Sequence, residues 1–537
     1  MAENFDIIVE KGTIVDGTGG RPRRSDLGIA GNAIRAVDDL KDASAERRID
    51  AGGKIVCPGF IDAHCHTDAH ALYYPDAEAK VMQGVTTDVC GLCGSSAVPT
   101  GSGHLDEYRR RNENAVPGMT RVAIEPQSFG EYLAAFDARG NSTNAALFAG
   151  NANLRIHACG YEDKKALPGE RDLMKEMLRR SMEEGALGLS SGLTYVPSMF
   201  APTEELTELC GVLRPFGGVY NSHMRNEGDR VLDSIAEVVE IAKGSGCRGH
   251  VSHLKVTGAK NHGTADRCLD LIERANASGV PVSFDVYPYA AASMSLKTLL
   301  PPWVLSHGLG DGCAILLDQR DRILADLGDD SWDNILLSCG AERIVVSSTG
   351  LARYEGKSLA QITEETRGKE PYDALALVLR ETEGRAGMIC HSMSEDDVRT
   401  FLRNKRCMVG SDAFARHYAG PTACGRPHPR NYGAFPRFLR RFVLDEGLMS
   451  LEEGIYRMTG LPAETFGLEG RGVLKEGFAA DVTIFDPKTI EDSATWESPA
   501  QKPRGVEWVL VNGRVSVDRG EFVGARAGRG LRLGNRL

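Results

Sequence analysis

Residues 217–253 read "GGVYNSHMRNEGDRVLDSIAEVVEIAKGSGCRGHVSH". Two short apolar runs, "GGVYNSH" and "CRGHVSH", each end on a histidine. Between them "RVLDSIAEVVEIAK" carries apolar residues at three- and four-residue spacing, the mark of a helix with one buried face. The unit is strand, amphipathic helix, strand, and its two terminal histidines, His223 and His253, stand thirty residues apart, about one βα repeat. Parallel strands joined in this way bring equivalent side chains together at their C-terminal ends.

The same alternation runs outward in both directions. Apolar runs "NAALFAGN", "GALGLSSG", "VPVSFDVY" and "RCMVGSD" are separated by helical stretches such as "EELTELCGVL". Repetition of this kind over roughly 400 residues predicts an α/β fold, a parallel sheet closed into a TIM-like (β/α)8 barrel over residues 58–468. The rhythm breaks around 299–337 ("LLPPWVLSHGLGDG…"), where an insertion is expected. Residues 1–57 ("FDIIVEKGTIVDG", "SDLGIAGNAIRAVDD") and 469–537 ("ADVTIFDP", "VEWVLVNGRVSVDRG") read instead as short strands between Gly, Asp and Pro turns. The two ends are expected to meet in one small β-sandwich domain.

Barrel chemistry sits where strands end, so each polar candidate is tested by whether it follows an apolar run. His64 and His66 pass, in "PGFIDAHCHTD" (58–68); on an extended chain they share one face and Cys65 takes the other. His223, His253, Asp412 ("RCMVGSD") and Cys93 ("GVTTDVCGLCG") pass as well. Singly, each is as well explained by a core side chain; jointly, four histidines, a thiol and a carboxylate at strand ends describe a metal site. Imidazole with thiolate favours zinc over magnesium or calcium. His250, three residues before His253, is read as facing away and structural. His262 and His391 are candidates for outer groups around the site. His70, His104 and His417 read as surface or loop residues.

Bulk properties exclude other classes. A net charge of −11 argues against nucleic acid or an anionic membrane as the main partner. No basic-then-apolar leader opens the chain, and no run of about 18 apolar residues is present, so a cytoplasmic protein is expected. Its thirteen cysteines lack paired spacing and are expected to be reduced. The lone CxxC, Cys90 to Cys93, has no second partner pair for a zinc ribbon and no thioredoxin-like surroundings.

Taken together, "PGFIDAHCHTD", "QGVTTDVCGLCGSSAVP", "NSHMRNEG", "VSHLKVTG", "FDVYPYAAASMSLKTLLPPW", "GSDA", "RPHPRNYGAFPRFL" and "RGVLKEGFAADVTIFDP" resemble the amidohydrolase superfamily, and within it the N-acyl-D-amino-acid deacylase (D-aminoacylase) family. HxH is superfamily-wide, whereas the GxCG cysteine with "SHLK", "YPY" and "HPRxYGxFPR" is more particular. The resemblance implies hydrolysis of the amide of an N-acyl-D-amino acid. It implies one metal position at His64 and His66 and another at Cys93, His223 and His253, with one Zn2+ held tightly and a second, weaker site. Asp412 matches the catalytic acid–base. Lys255, Tyr287, Ser293 and Arg430 match or neighbour groups that hold the substrate carboxylate. Lys297 would favour acidic side chains if it faced the pocket; otherwise an apolar side chain is expected. Two departures stand out: Asn151 occupies a position where many members carry His, and Cys65 lies between the paired histidines. The competing readings are a cyclic-amide hydrolase of the dihydroorotase or hydantoinase kind, a non-catalytic protein on the same fold, and a structural zinc protein. The oligomeric state is not readable from the sequence.

Overall fold

A computed structural model describes residues 4–100, 126–309 and 311–534. Eight short strands form the barrel: β1 (Phe60–Asp62), β2 (Val85–Cys90), β3 (Asn144–Leu147, resuming at Ala149–Gly150), β4 (Gly188–Gly192), β5 (Val219–His223), β6 (Arg248–Val251), β7 (Val282–Val286) and β8 (Cys407–Val409). Each pairs in parallel with the next. The ring returns on itself where Ala63 N donates to Val409 O at 3.2 Å and Cys65 bridges Ala413 in parallel.

Parallel strands covered on both faces must be apolar or fully hydrogen-bonded, and β2, β4 and β5 are buried throughout. Between β5 and β6 the helix Val231–Ser245 turns Val231, Ile235, Val238, Ile241 and Ala242 inward. Burying each of the larger aliphatic side chains stabilises the fold by about 1.5–3 kcal/mol. The helix ends at Gly246, whose φ of +73° suits a residue without Cβ and whose N–H returns to Ala242 O.

Both termini contribute to the β domain. A four-stranded sheet comes wholly from residues 4–50, and in the seven-stranded sheet Ile55–Pro58 pairs antiparallel with Val482–Phe485. Ile7, Val9, Ile29, Ile34, Ile49, Ile484 and Leu510 fill the space between them. Between β7 and β8 a second unit has its own three-stranded antiparallel sheet (Ala292–Ser295, Gly387–Cys390, Ile344–Ser348). Its separate core includes Leu299, Val304, Ile323, Ile344, Leu375 and Met388. The insertion therefore runs well beyond the expected 299–337, because its outer edges are strands that resemble those of the barrel in composition. Among the described residues no helix is long and apolar enough to cross a membrane.

Candidate metal centre

The chemistry-bearing side chains gather at the C-terminal ends of the strands. His64 and His66 follow β1, Cys93 follows β2, His223 closes β5, His253 follows β6 and Asp412 follows β8. Three of them have left-handed backbone, Cys93 at φ +52°, His253 at +33° and Asp412 at +50°. Non-glycine residues adopt this region at a cost of about 1–3 kcal/mol each, and such strain clusters at functional sites. The neighbouring glycine after Cys93 makes the turn possible: a Cβ on Gly94 would lie 2.6 Å from Gly192 N.

The donor atoms converge. Cys93 Sγ lies 3.4 Å from His64 Nε2 and 3.2 Å from His253 Nε2, and His223 Nδ1 lies 3.0 Å from His253 Nε2. Asp412 Oδ1 lies 3.1 Å from His66 Nε2 and 3.8 Å from His64 Nε2. One ligand atom each from His64, Cys93, His253 and Asp412 falls within 4.8 Å of the others. Burial alone would push the Cys93 thiol up, but His253 and His64, with hydrogen bonds from His223 and His253, hold it well below the usual thiol range. A thiolate ringed by imidazoles is the donor set zinc takes. His223 turns Nδ1 to this cluster and Nε2 towards Glu227 Oε2, 3.8 Å away.

Burial also works against ionisation of Asp412, yet Arg430, His253 and the His66 bond outweigh it and hold the carboxyl well below its ordinary value. Arg430 Nη1 sits 2.9 Å from Asp412 Oδ2, and the same guanidinium donates to Ser293 O at 3.2 Å. It also lies over the Tyr287 ring, 4.8 Å from its centroid. Ser293 lies on the first strand of the insertion, and Tyr287 OH donates to Met393 Sδ at 3.6 Å. Lys255 and Arg430 are both buried rather than solvated, at 2% and 4% exposure. Lys255 Nζ is nevertheless already engaged, 2.6 Å from Glu227 Oε1 and 2.7 Å from His253 Nδ1.

Two acids, Glu227 and Asp285, went unread in the sequence. Glu227, four residues after His223, is buried against Lys255, His253 and His223. Burial opposes its charge; Lys255, then His223 and His253, pull its carboxyl well below the ordinary range. Asp285 lies 3.3 Å from His64 Nδ1. It lies inside strand β7, one residue before its end, flanked by Phe284 and Val286, so a test for polar groups that follow apolar runs passes over it. His250, expected to face away, instead lies 2.9 Å from Asp285 Oδ1, because the chain turns sharply between it and His253.

The remaining expectations divide. His70, read as a surface or loop residue, is fully buried in the short helix Asp68–Ala71, beside Phe414. His417 is half-buried and bonded to Thr422, and His104 lies outside the described residues. His262 meets Ser392 O and His391 meets Trp496, neither touching the donor set. Cys65 turns away to Val89 O; in the CxxC, Cys90 meets Ala146 O while Cys93 meets His64 and His253, so its two sulfurs point apart. Asn151 Oδ1 accepts from Ser198 at the base of the site.

Known proteins resemble this chain over nearly its whole length. An amidohydrolase family model matches residues 47–290 and 383–517, more than half of the chain, and omits most of the insertion. A D-aminoacylase of Alcaligenes xylosoxydans xylosoxydans is 35% identical over 530 residues, covering 99% of this chain and 98% of the relative. An N-acyl-D-glutamate deacylase of the same organism is 36% identical over 525 residues, covering 96% and 94%. The structure of an N-acyl-D-glutamate deacylase from Bordetella bronchiseptica, complexed with zinc and a phosphonate mimic of the tetrahedral intermediate, superposes with a TM-score of 0.82 at 34% identity, covering 99% of this chain and all of that one. A D-aminoacylase structure with a binuclear metal centre gives 0.81 at 35% identity, covering 98% and 100%. A D-hydantoinase at 18% identity and 0.55 shares the fold alone. With a family model spanning most of its barrel and near-full-length relatives above 30% identity, the chain belongs to the amidohydrolase family, in its N-acyl-D-amino-acid deacylase branch.

Proposed function

We propose that this protein is a zinc-dependent deacylase that hydrolyses the amide of N-acyl-D-amino acids to a carboxylate and a free D-amino acid. The convergence of Cys93, His64, His253 and Asp412 on one point at the strand ends carries the reading. Cys93, His223 and His253 would hold the tight metal, with His64 and His66 serving a second, weaker position. When bound, zinc supplies Lewis-acid chemistry, lowering the pKa of water towards ~7 and polarising the amide carbonyl.

The protein's own residues do the rest. Asp412 is kept ionised by Arg430 and His66, so it can accept a proton from water. It then delivers that proton to the departing amine, serving as base and then acid. Arg430 offers a planar pair of N–H donors to the substrate carboxylate, with Tyr287 and the Ser293 region forming the adjoining wall. Lys255 joins them only by loosening its bond to Glu227. The cysteine spacing read from the sequence supports a reducing, cytoplasmic setting.

Release of free amine from N-acetyl-D-leucine, N-acetyl-D-glutamate and N-acetyl-D-aspartate, with the L-enantiomers alongside and zinc measured in the same preparation, tests the reading. Turnover of D substrates by zinc-loaded protein is expected, and preference for the acidic pair would assign Lys297 to the side-chain pocket. Activity confined to L-enantiomers overturns it.

A further inference from the structure

His64 has two ring nitrogens, and only Nε2 faces the donor cluster. Its Nδ1 is 3.3 Å from Asp285 Oδ1. That same oxygen is 2.9 Å from His250 Nε2, and His250 Nδ1 is 2.8 Å from Ser283 Oγ. His64, Asp285 and His250 have no solvent exposure. Among the described residues Asp285 has no Lys or Arg partner; the two imidazoles alone face its charge.

An ionised carboxylate only accepts hydrogen bonds, so both ring nitrogens that meet Asp285 must carry hydrogen. His250 is thus the Nε2–H form, with Nδ1 accepting from the Ser283 hydroxyl. His64 carries its hydrogen on Nδ1, so that in the neutral ring Nε2 is the nitrogen free to coordinate, and it is Nε2 that faces Cys93 and Asp412. The row is built into the barrel: His250 and Ser283 are paired across β6 and β7, and the Phe466 ring closes the other side of His250 at 5.4 Å. Gly410 leaves the necessary room, since a Cβ there would lie 2.6 Å from His64 Cβ and 2.7 Å from Asp285 Oδ2.

We propose that Asp285 and His250 are positioning residues that fix the tautomer and ring orientation of His64, so that its bare Nε2 is presented to the metal. The proposal rests on the reading of the site as a metal centre. Groups that orient metal-binding histidines in this way typically contribute about ten- to hundredfold in metal affinity or activity.

Zinc affinity by chelator competition, kcat and KM on the best D substrate, and melting of the metal-free protein should be measured for Asp285→Asn, His250→Ala and His250→Gln, with Cys93→Ser alongside. At the weaker position served by His64, Asp285→Asn should bind zinc about ten- to hundredfold more weakly while the tight position keeps its metal, with kcat lowered and KM within about twofold. His250→Ala should move in the same direction, and His250→Gln should regain most of the loss because its amide N–H again reaches Asp285. If affinity at that weaker position is unchanged in Asp285→Asn and only melting falls, the role is structural and the proposal fails. Should Asp285→Asn not fold, equal losses in His250→Ala and His250→Gln overturn it. If Cys93→Ser also keeps its zinc, the metal-centre reading itself is wrong; if it loses zinc while Asp285→Asn fills both positions as the wild type does, only the positioning role falls.

Discussion

Replacing Asp412 by Asn keeps the side-chain shape and removes the proton acceptor. A positioned general base contributes about 10²–10⁴-fold, which at 1.36 kcal/mol per decade is about 2.7–5.4 kcal/mol of transition-state stabilisation. A second consequence follows from the packing. Arg430, 4% exposed, has Asp412 as its only ion-pair partner among the described residues, 2.9 Å away. Removing one member of a buried pair costs about 3–5 kcal/mol in the extreme; here the guanidinium keeps its bond to Ser293 O and a polar amide beside it, so a smaller loss is expected. Steady-state hydrolysis of an N-acetyl-D-amino acid, zinc content and thermal melting therefore need to be read together. The expected result is a kcat down by 10²–10⁴ with zinc near the wild-type level and a modestly lower melting temperature. A kcat within about tenfold of wild type in zinc-loaded, folded protein would remove Asp412 from proton transfer.

Cys93→Ser exchanges a soft thiolate for a neutral hydroxyl; zinc affinity should fall at least about tenfold and turnover with it, read by chelator competition. Arg430→Ala should raise KM and, because Asp412 loses its partner, lower kcat, with kcat/KM down roughly ten- to hundredfold. Arg430→Lys restores the charge beside Asp412 but not the planar pair of donors, so kcat should recover while KM stays high; a change in kcat alone in both variants would dissociate Arg430 from carboxylate binding. The Arg399 hydrogen bond, opposed by burial and reinforced by Arg441, holds the Glu446 carboxyl down at about 2. Its folded value lies below the unfolded one, so its contribution is full above about pH 4.5 and is lost as pH falls through about 2. Solvent screening keeps this below about 1 kcal/mol. Glu446→Gln should flatten the melting curve against pH only on that acidic limb; a difference persisting unchanged at pH 2 would exclude the ion pair as its source.

By itself the sequence determined the strand–helix rhythm of the barrel, the β domain built from both ends, and the six residues that gather at the strand ends. These are local signals: an apolar run followed by a polar group needs only its immediate neighbours to be read. The tertiary structure alone decided which groups answer one another. His64 meets Asp285 across 221 positions, and His66 meets Asp412 across 346. It also turned Lys255 towards Glu227, buried His70, and widened the insertion beyond its apolar break. The two long-range pairings depend on closing the parallel ring, which makes neighbours of strand ends that have no proximity along the chain. Buried charges must then find partners among whatever that closure supplies, because an unpaired one in the interior costs several kcal/mol.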